Sequence, residues 1–359
     1  MRSDARALLS VLQDPARLAG LAPETLTRVL YLARASALIG RLAADADRFD
    51  IMTKLPQAVQ DQFLGAKRVA ALSRTRLTWE MNRIRRAVWG TGRRVVLLKG
   101  AAYVSAGLTC AAGRVSSDID VLMPRGELEW LEATLLAAGW QQSKDDAYDQ
   151  AYYRNWMHEL PPLYHPDRNA TIDIHHTILP PTSRYKPDPA KLLARTRSID
   201  DTFSVLSEPD LLLHSACHLF ADGEVRGGLR DLVDQRDMMV EFGQHEGFWA
   251  DLLARAEELG LMRPLAYSLT YAQRLLAVPL PPHVRAWARQ NLPGFPVRQI
   301  MDACVNAALV PHFIFERRWQ ARLAAELLYM RSHWLRMPPL MLARHLSIKA
   351  WRRISDLWP

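Results

Sequence analysis

Apolar side chains return every three or four residues through residues 23–44 and again through residues 65–88. That spacing gives a helix one apolar face, so the chain up to about residue 90 is expected to be helical. The second segment is heavily basic (Lys67, Arg68, Arg74, Arg76, Arg83, Arg85 and Arg86), and Gly90 and Gly92 punctuate its end. The period then shortens. Residues 94–98 (RVVLL) form a β-branched and aliphatic run that predicts a strand, followed by Lys99-Gly100 and a small-residue helix to about Leu108. Residues 118–123 (DIDVLM) and 171–175 (TIDIH) alternate polar and apolar positions, as half-buried strands do. Between them the pattern predicts a helix over residues 126–138 ended by Gly139, and strands over Ala147–Trp156 and Leu163–His165. Four prolines within residues 179–189 mark a boundary, and Ser207-Glu208-Pro209 opens a helix. Helical spacing continues through Leu229–Phe242, residues 249–259 and residues 300–309. The layout is helices, then an α/β or α+β block around a small sheet, then helices.

Composition narrows the class. Hydrophobic residues make up 49% of the 359 and charged residues 23%, enough apolar material to bury a proper core and too much for a mainly disordered chain. Three scattered cysteines, Cys110, Cys217 and Cys304, form no CxxC pair and argue against a disulfide framework or a zinc site. The first residues lack the apolar run of a signal peptide, and no apolar stretch approaches the ~20 residues of a membrane span, so a cytoplasmic protein is expected. The formal charge of +8 is uneven: residues 311–359 hold nine Lys/Arg against three acids. This basic tail is either a solvated helical face or a surface for nucleic acid, anionic lipid or an acidic partner. Its tryptophans, Trp319, Trp334, Trp351 and Trp358, read as helical core packing or as platforms for bases or a membrane interface.

The chemistry concentrates in the middle block. Asp118 and Asp120 lie two apart on a strand, so both carboxylates project from one face while Ile119 packs behind. Like charges this close repel unless a cation lies between them, and a hard divalent ion with oxygen ligands is the natural partner. Asp173 is flanked by Ile172 and Ile174 and faces away from both. If its strand lies beside residues 118–123, three carboxylates meet on one patch, the arrangement that suits two-metal phosphoryl or nucleotidyl transfer. Otherwise Asp173 simply ends a strand in solvent. Upstream, Lys99-Gly100-Ala101 joins a strand to a helix, where glycine lets backbone approach a phosphate and the helix start offers free N–H groups. His175 shares the face of Asp173 and either orients a carboxylate, touches substrate or makes one structural hydrogen bond. His214 and His218 have metal-compatible spacing without the glutamate of a zinc protease, so packing near a cleft is the expectation.

The order of LLKGAAY, GRVSSDIDVLM and TIDIHHTI resembles the nucleotidyltransferase superfamily typified by DNA polymerase beta. More narrowly it is similar to a largely uncharacterised bacterial nucleotidyltransferase family with an LKG turn and a DIDLLV strand. The likeness continues through LLLHSACHLF and GGLRDLVDQRDMM and covers roughly residues 90 to 245. It implies an α+β fold: a nucleotidyltransferase core with a small mixed sheet over 91–206, an N-terminal helical region over 1–90, and a C-terminal helical domain with a basic tail over 207–359. It implies transfer of a nucleoside monophosphate from a nucleoside triphosphate to an acceptor hydroxyl on a small molecule, peptide, protein or RNA. Asp118, Asp120 and Asp173 would be the catalytic Mg²⁺ (or Mn²⁺) ligands, with Asp173 also the base. Lys99, Gly100, Ala101, Arg114, Ser117 and Arg230 would meet the nucleotide, and His175 and Asp234 would lie near substrate. Asp234 also reads as an ion-pair partner of Arg230 one turn away. The sequence departs from the superfamily pattern at Ala101, where a Gly or Ser is usual, so no hydroxyl stands there. Two other readings stay open: a catalytically inactive nucleotide- or partner-binding module on the same fold, and an RNA-modifying, toxin-like transferase.

Overall fold

The computed structural model of the protein describes residues 3–143, 146–222, 225–310 and 319–343. It is an α+β structure in which helices flank one mixed sheet of seven strands. Helices Ser3–Gln13, Pro23–Ala35, Ile39–Arg48 and the 31-residue Gln57–Ala87 come first, where the apolar spacing predicts helix. Residues 23–44 are not one helix, however. At Ala37 the backbone takes a φ of +54°, and Leu38 N–H donates back to Ala33 O at 2.7 Å. This is the left-handed closure that ends many helices. Leu38 and Leu42 nonetheless stay in the core, so the apolar rhythm runs unbroken across a break in the backbone.

The strands are β1 (Val95–Leu97), β2 (Asp118–Leu122), β3 (Gln141–Gln142), β4 (Leu163–His165), β5 (Ala170–His175), β6 (Arg197–Ser198) and β7 (Phe203–Val205), in the order β3-β4-β5-β2-β1-β7-β6. β2 is antiparallel to β1 and parallel to β5, while β1 is parallel to β7. Sequence patterning misses β3, β6 and β7, which are two or three residues long and too short to carry a period. It also misassigns Ala147–Trp156, which is a helix and not a strand. Aromatic richness suggests a strand there, but Tyr148, Tyr152 and Trp156 recur every four residues, and the rings of Tyr152 and Trp156 meet edge to face across one helical turn.

Helix Glu208–Cys217 is capped by Ser207, whose side chain accepts from Asp210 N, and every residue from Pro209 onward is buried. A single π-helical turn, His218–Asp222, follows it. Leu229–Phe242, Phe248–Glu258, Met262–Leu276, Pro282–Asn291 and Val297–Ala308 complete the packing. One hydrophobic cluster runs from Leu8 in the first helix through Val95–Leu98 and Ile119 in the sheet to Val305 and Leu328. Helix Trp319–Arg336 carries the described part of the basic tail. Arg331 donates to Phe220 O at 2.7 Å, Arg336 lies 3.8 Å from Asp222, and Trp319 is 71% exposed. Arg317, Arg318, Arg344, Lys349, Arg352, Arg353, Trp351 and Trp358 fall outside the described residues. Among the described residues no helix is long and apolar enough to cross a membrane.

Candidate active site

Strand pairing brings the three aspartates together. β2 and β5 run parallel with Asp120 directly opposite Asp173, so Asp118, Asp120 and Asp173 share one face of adjoining strands. Their carboxylate oxygens lie within 4.8 Å of one another. On the other side of β2, Leu98 N–H donates to Asp120 O at 2.9 Å and prolongs the pairing with β1. Because β1 is antiparallel to β2, this delivers Lys99 to the end of β2 that carries the acids. Lys99 adopts a φ of +42°, a left-handed conformation that few side-chain-bearing residues take, at the start of helix Lys99–Ser105. Such strain persists only where the surroundings enforce it, and it clusters at functional turns.

Asp120 is the anchor. Its Oδ1 accepts from Lys99 Nζ at 2.7 Å and lies 3.1 Å from His175 Nε2. Burial alone would push this carboxyl up, yet the Lys99 charge and the His175 hydrogen bond outweigh it and hold Asp120 far below the ordinary carboxylate range. The same pairing overcomes the burial of Lys99 and pushes its ammonium up to about 12. Asp173 has only the more distant charge of His175 to help it, and this is outweighed. Burial first, then the charges of Glu159 and Asp120, push it up to about 7, and its buried Oδ1 has no hydrogen-bond partner. An unsatisfied acidic oxygen beside two further carboxylates is the donor set a hard divalent cation requires.

A cavity of about 120 Å³ opens beside the acids, walled by Lys99, Gly100, Tyr103, Arg114, Val115, Ser116, Ser117, Asp118, Asp120, Ser215, His218, Arg230 and Asp231. Lys99, Gly100, Arg114, Ser117 and Arg230, expected at the nucleotide from sequence, all lie on this wall. Ala101 does not: its methyl is buried in the core. The hydroxyl missing at position 101 comes from across the loop. A Cβ on Gly100 would stand 2.2 Å from Ser116 Oγ, so only glycine lets that hydroxyl sit against the turn. Ser116 is itself pinned to helix Gln57–Ala87, since its N–H donates to Ser73 Oγ and its C=O accepts from the same hydroxyl, both at 3.0 Å.

Asp234 departs from expectation. It does not pair with Arg230 and is not on the cavity wall; it is buried in a close ion pair with Arg114. Arg230 instead donates to Val115 O at 3.2 Å, and Asp231 takes the position at the cavity. Residues 230 and 234 are one helical turn apart and share a face, but the Asp234 carboxylate is claimed by Arg114, 120 positions away in the sequence. His214 is buried and belongs to no metal-capable cluster among the described residues, and His218 lies 3.7 Å from Asp231 at the cavity wall. Sequence reading missed Ser116, Asp231, His158 and Glu159. Ser116 and Asp231 adjoin residues it did select, while His158 and Glu159 lie in no periodic pattern.

Carboxylates paired across parallel strands thus lie beside a basic, hydroxyl-bearing cavity. The chain belongs to the uncharacterised nucleotidyltransferase family, whose model matches residues 23–277. Membership implies a nucleoside triphosphate substrate and a divalent cation, and the match takes in the helices from Pro23 up to the sheet as well as the site. No curated protein and no solved structure matches the chain.

Proposed function

We propose that the protein transfers a nucleoside monophosphate from a nucleoside triphosphate to an acceptor hydroxyl, releasing pyrophosphate, with Asp118, Asp120 and Asp173 holding Mg²⁺ and Mn²⁺ as its substitute. One observation carries this reading: three carboxylates from two paired strands converge within 4.8 Å, and one of them keeps a buried oxygen unpartnered. Divalent ions bound there would neutralise charge on the phosphate oxygens and acidify the acceptor hydroxyl. The remaining work belongs to side chains and backbone. Lys99 and Arg230 offer positive charge to the triphosphate from the cavity wall, and Gly100 lets the phosphates approach the start of helix Lys99–Ser105. Ser116 and Ser117 supply hydroxyl donors, and Arg114, braced by Asp234, keeps the loop that bears them in place. His175 and Lys99 fix the Asp120 rotamer. Asp173, opposite Asp120 on the paired strand, takes the acceptor proton.

The test is to incubate the purified protein and cell extract with labelled nucleoside triphosphates and Mg²⁺, following pyrophosphate release and the labelled acceptor. Asp118→Asn and Asp173→Asn are each expected to lower turnover at least ~100-fold, as loss of several kcal/mol of charge stabilisation demands, with circular dichroism unchanged. Nucleotide binding without pyrophosphate release would instead mark a binding module, and undiminished turnover in either variant would end the metal scheme.

A further inference from the structure

A second set of potential ligands lies next to the three aspartates, farther along β5 on the face that Asp173 and His175 share. Residues 158–160 run antiparallel to the end of β5: His176 N–H donates to His158 O at 2.8 Å, Leu160 N–H donates to Ile174 O at 2.9 Å, and Glu159 bridges His175. These backbone bonds bring the side chains of His158, Glu159 and His175 together, with one ligand atom from each within 4.8 Å of the others. His175 Nδ1 lies 3.5 Å from Glu159 Oε2, and His158 Nε2 lies 3.9 Å from the same oxygen. Ligands about 2.1 Å from a tetrahedral ion are separated by about 3.4 Å, so the side chains stand close to the edges of a coordination tetrahedron.

The polar atoms in this cluster are unsatisfied in the way a binding site requires. His175 is 1% exposed, its Nε2 is occupied by Asp120, and its Nδ1 is buried without a hydrogen-bond partner on the Glu159 side. A histidine whose one nitrogen addresses a carboxylate while the other is left bare is oriented as metal-bound histidines are, where the outer carboxylate fixes the tautomer. His158 is 7% exposed, its ring lies tilted against that of His175 at 5.1 Å, and its buried Nδ1 has no hydrogen-bond partner. Asp222 Oδ2, 3.8 Å from His158 Nε2 at the end of the π-helical turn, borders the fourth position. The donor chemistry differs from that of the three aspartates. Two imidazoles and one carboxylate suit zinc and related transition ions, whereas an all-carboxylate set suits Mg²⁺.

We propose that His158, Glu159 and His175 form a zinc-class metal site, distinct from the aspartate site and joined to it through the His175–Asp120 hydrogen bond. The fourth position is filled by water or by Asp222. An ion there places positive charge on His175, strengthens its donation to Asp120, and so holds the central carboxylate in position. The proposal stands independently of nucleotidyl transfer, because it concerns which residues retain a metal.

The experiment is metal analysis of the full-length protein, stripped with EDTA, loaded with ZnCl₂ and desalted. Wild type is expected to retain about one zinc per chain and to melt at a higher temperature with zinc than without. His158→Gln and Glu159→Gln should each weaken zinc binding at least tenfold and lose the zinc-dependent shift in melting temperature, while Asp118→Asn keeps both. Co²⁺ loaded into wild type should give the visible absorption of a tetrahedral nitrogen–oxygen site, a readout that needs no variant to fold. Absence of retained zinc in wild type overturns the proposal, and so does zinc lost in Asp118→Asn but kept in His158→Gln. Pyrophosphate release, measured separately, reports on the aspartates and leaves this result untouched.

Discussion

Gly100 shows how much of the site depends on a single missing atom. A methyl there would stand 2.2 Å from Ser116 Oγ and 3.1 Å from Ser116 Cβ. Gly100→Ala must therefore displace the hydroxyl that faces the cavity, at ~1–3 kcal/mol of stability, and should raise the KM for nucleoside triphosphate about tenfold, roughly the worth of one polar contact. Adding Ser116→Ala relieves most of the clash. The double variant should regain thermal stability without regaining substrate affinity; recovery of both would mean that the hydroxyl has no part in binding. His214 carries a different expectation. Burial first, then the charges of Lys99, His218 and His175, drive it well below the ordinary histidine value of 6.5. The unfolded chain then holds more protons than the native protein below pH 6.5, so this residue costs stability as pH falls, by up to ~1.4 kcal/mol per pH unit. His214→Gln removes that dependence. Urea midpoints of variant and wild type should converge between pH 7 and pH 5, and a constant gap would reject the assignment.

At the scale of elements, the turn and loop around the cavity are held by contacts from helices remote in sequence. Ser73 on helix Gln57–Ala87 makes both hydrogen bonds that pin Ser116. Ser73→Ala should cost ~1–2 kcal/mol and speed hydrogen exchange at the Ser116 amide about tenfold or more; unchanged protection there would show that the loop stands without the helix. Gly113, with a φ of +69°, meets Gly40 so closely that a Cβ on either would lie within 2.3 Å of the other's carbonyl, which seats helix Ile39–Arg48 against the same loop. Helix Leu229–Phe242 contributes Arg230 and Asp231 to the cavity and Asp234 to the Arg114 pair behind it. Asp234→Ala leaves a buried guanidinium without its counter-charge and should destabilise by ~3–5 kcal/mol, read as a fall in urea midpoint. A loss below ~1 kcal/mol would show that Arg114 finds another partner.

At the scale of the molecule, the helices before and after the sheet share one core with it. Leu8, Ile119 and Val305 belong to a single apolar cluster, and Arg41 from the third helix forms a buried pair with Asp237, 196 residues along the chain. The protein should therefore unfold in one calorimetric transition, and a chain lacking residues 1–56 should aggregate on size-exclusion chromatography, since its removal uncovers the apolar partners of Leu8, Leu30 and Leu42. Two resolved transitions, or a monodisperse folded truncation, would make the first helices an independent unit.

What the sequence determined alone was whatever a period of two or of three to four residues can encode. Alternation in DIDVLM and TIDIH placed each aspartate on the polar face of its own strand, and the helical spacing located Leu229–Phe242 with its first and last residues. Even the failure at Ala147–Trp156 was local, a four-residue aromatic recurrence outweighed by strand propensity. Tertiary structure decided everything that depends on a partner: that Asp120 faces Asp173, that Arg114 claims Asp234 from Arg230, and that His158 and Glu159 lie against His175. A side chain's direction follows from its neighbours in the chain, but what it meets follows from strand register and helix packing between segments well separated in sequence, and no local pattern contains that information.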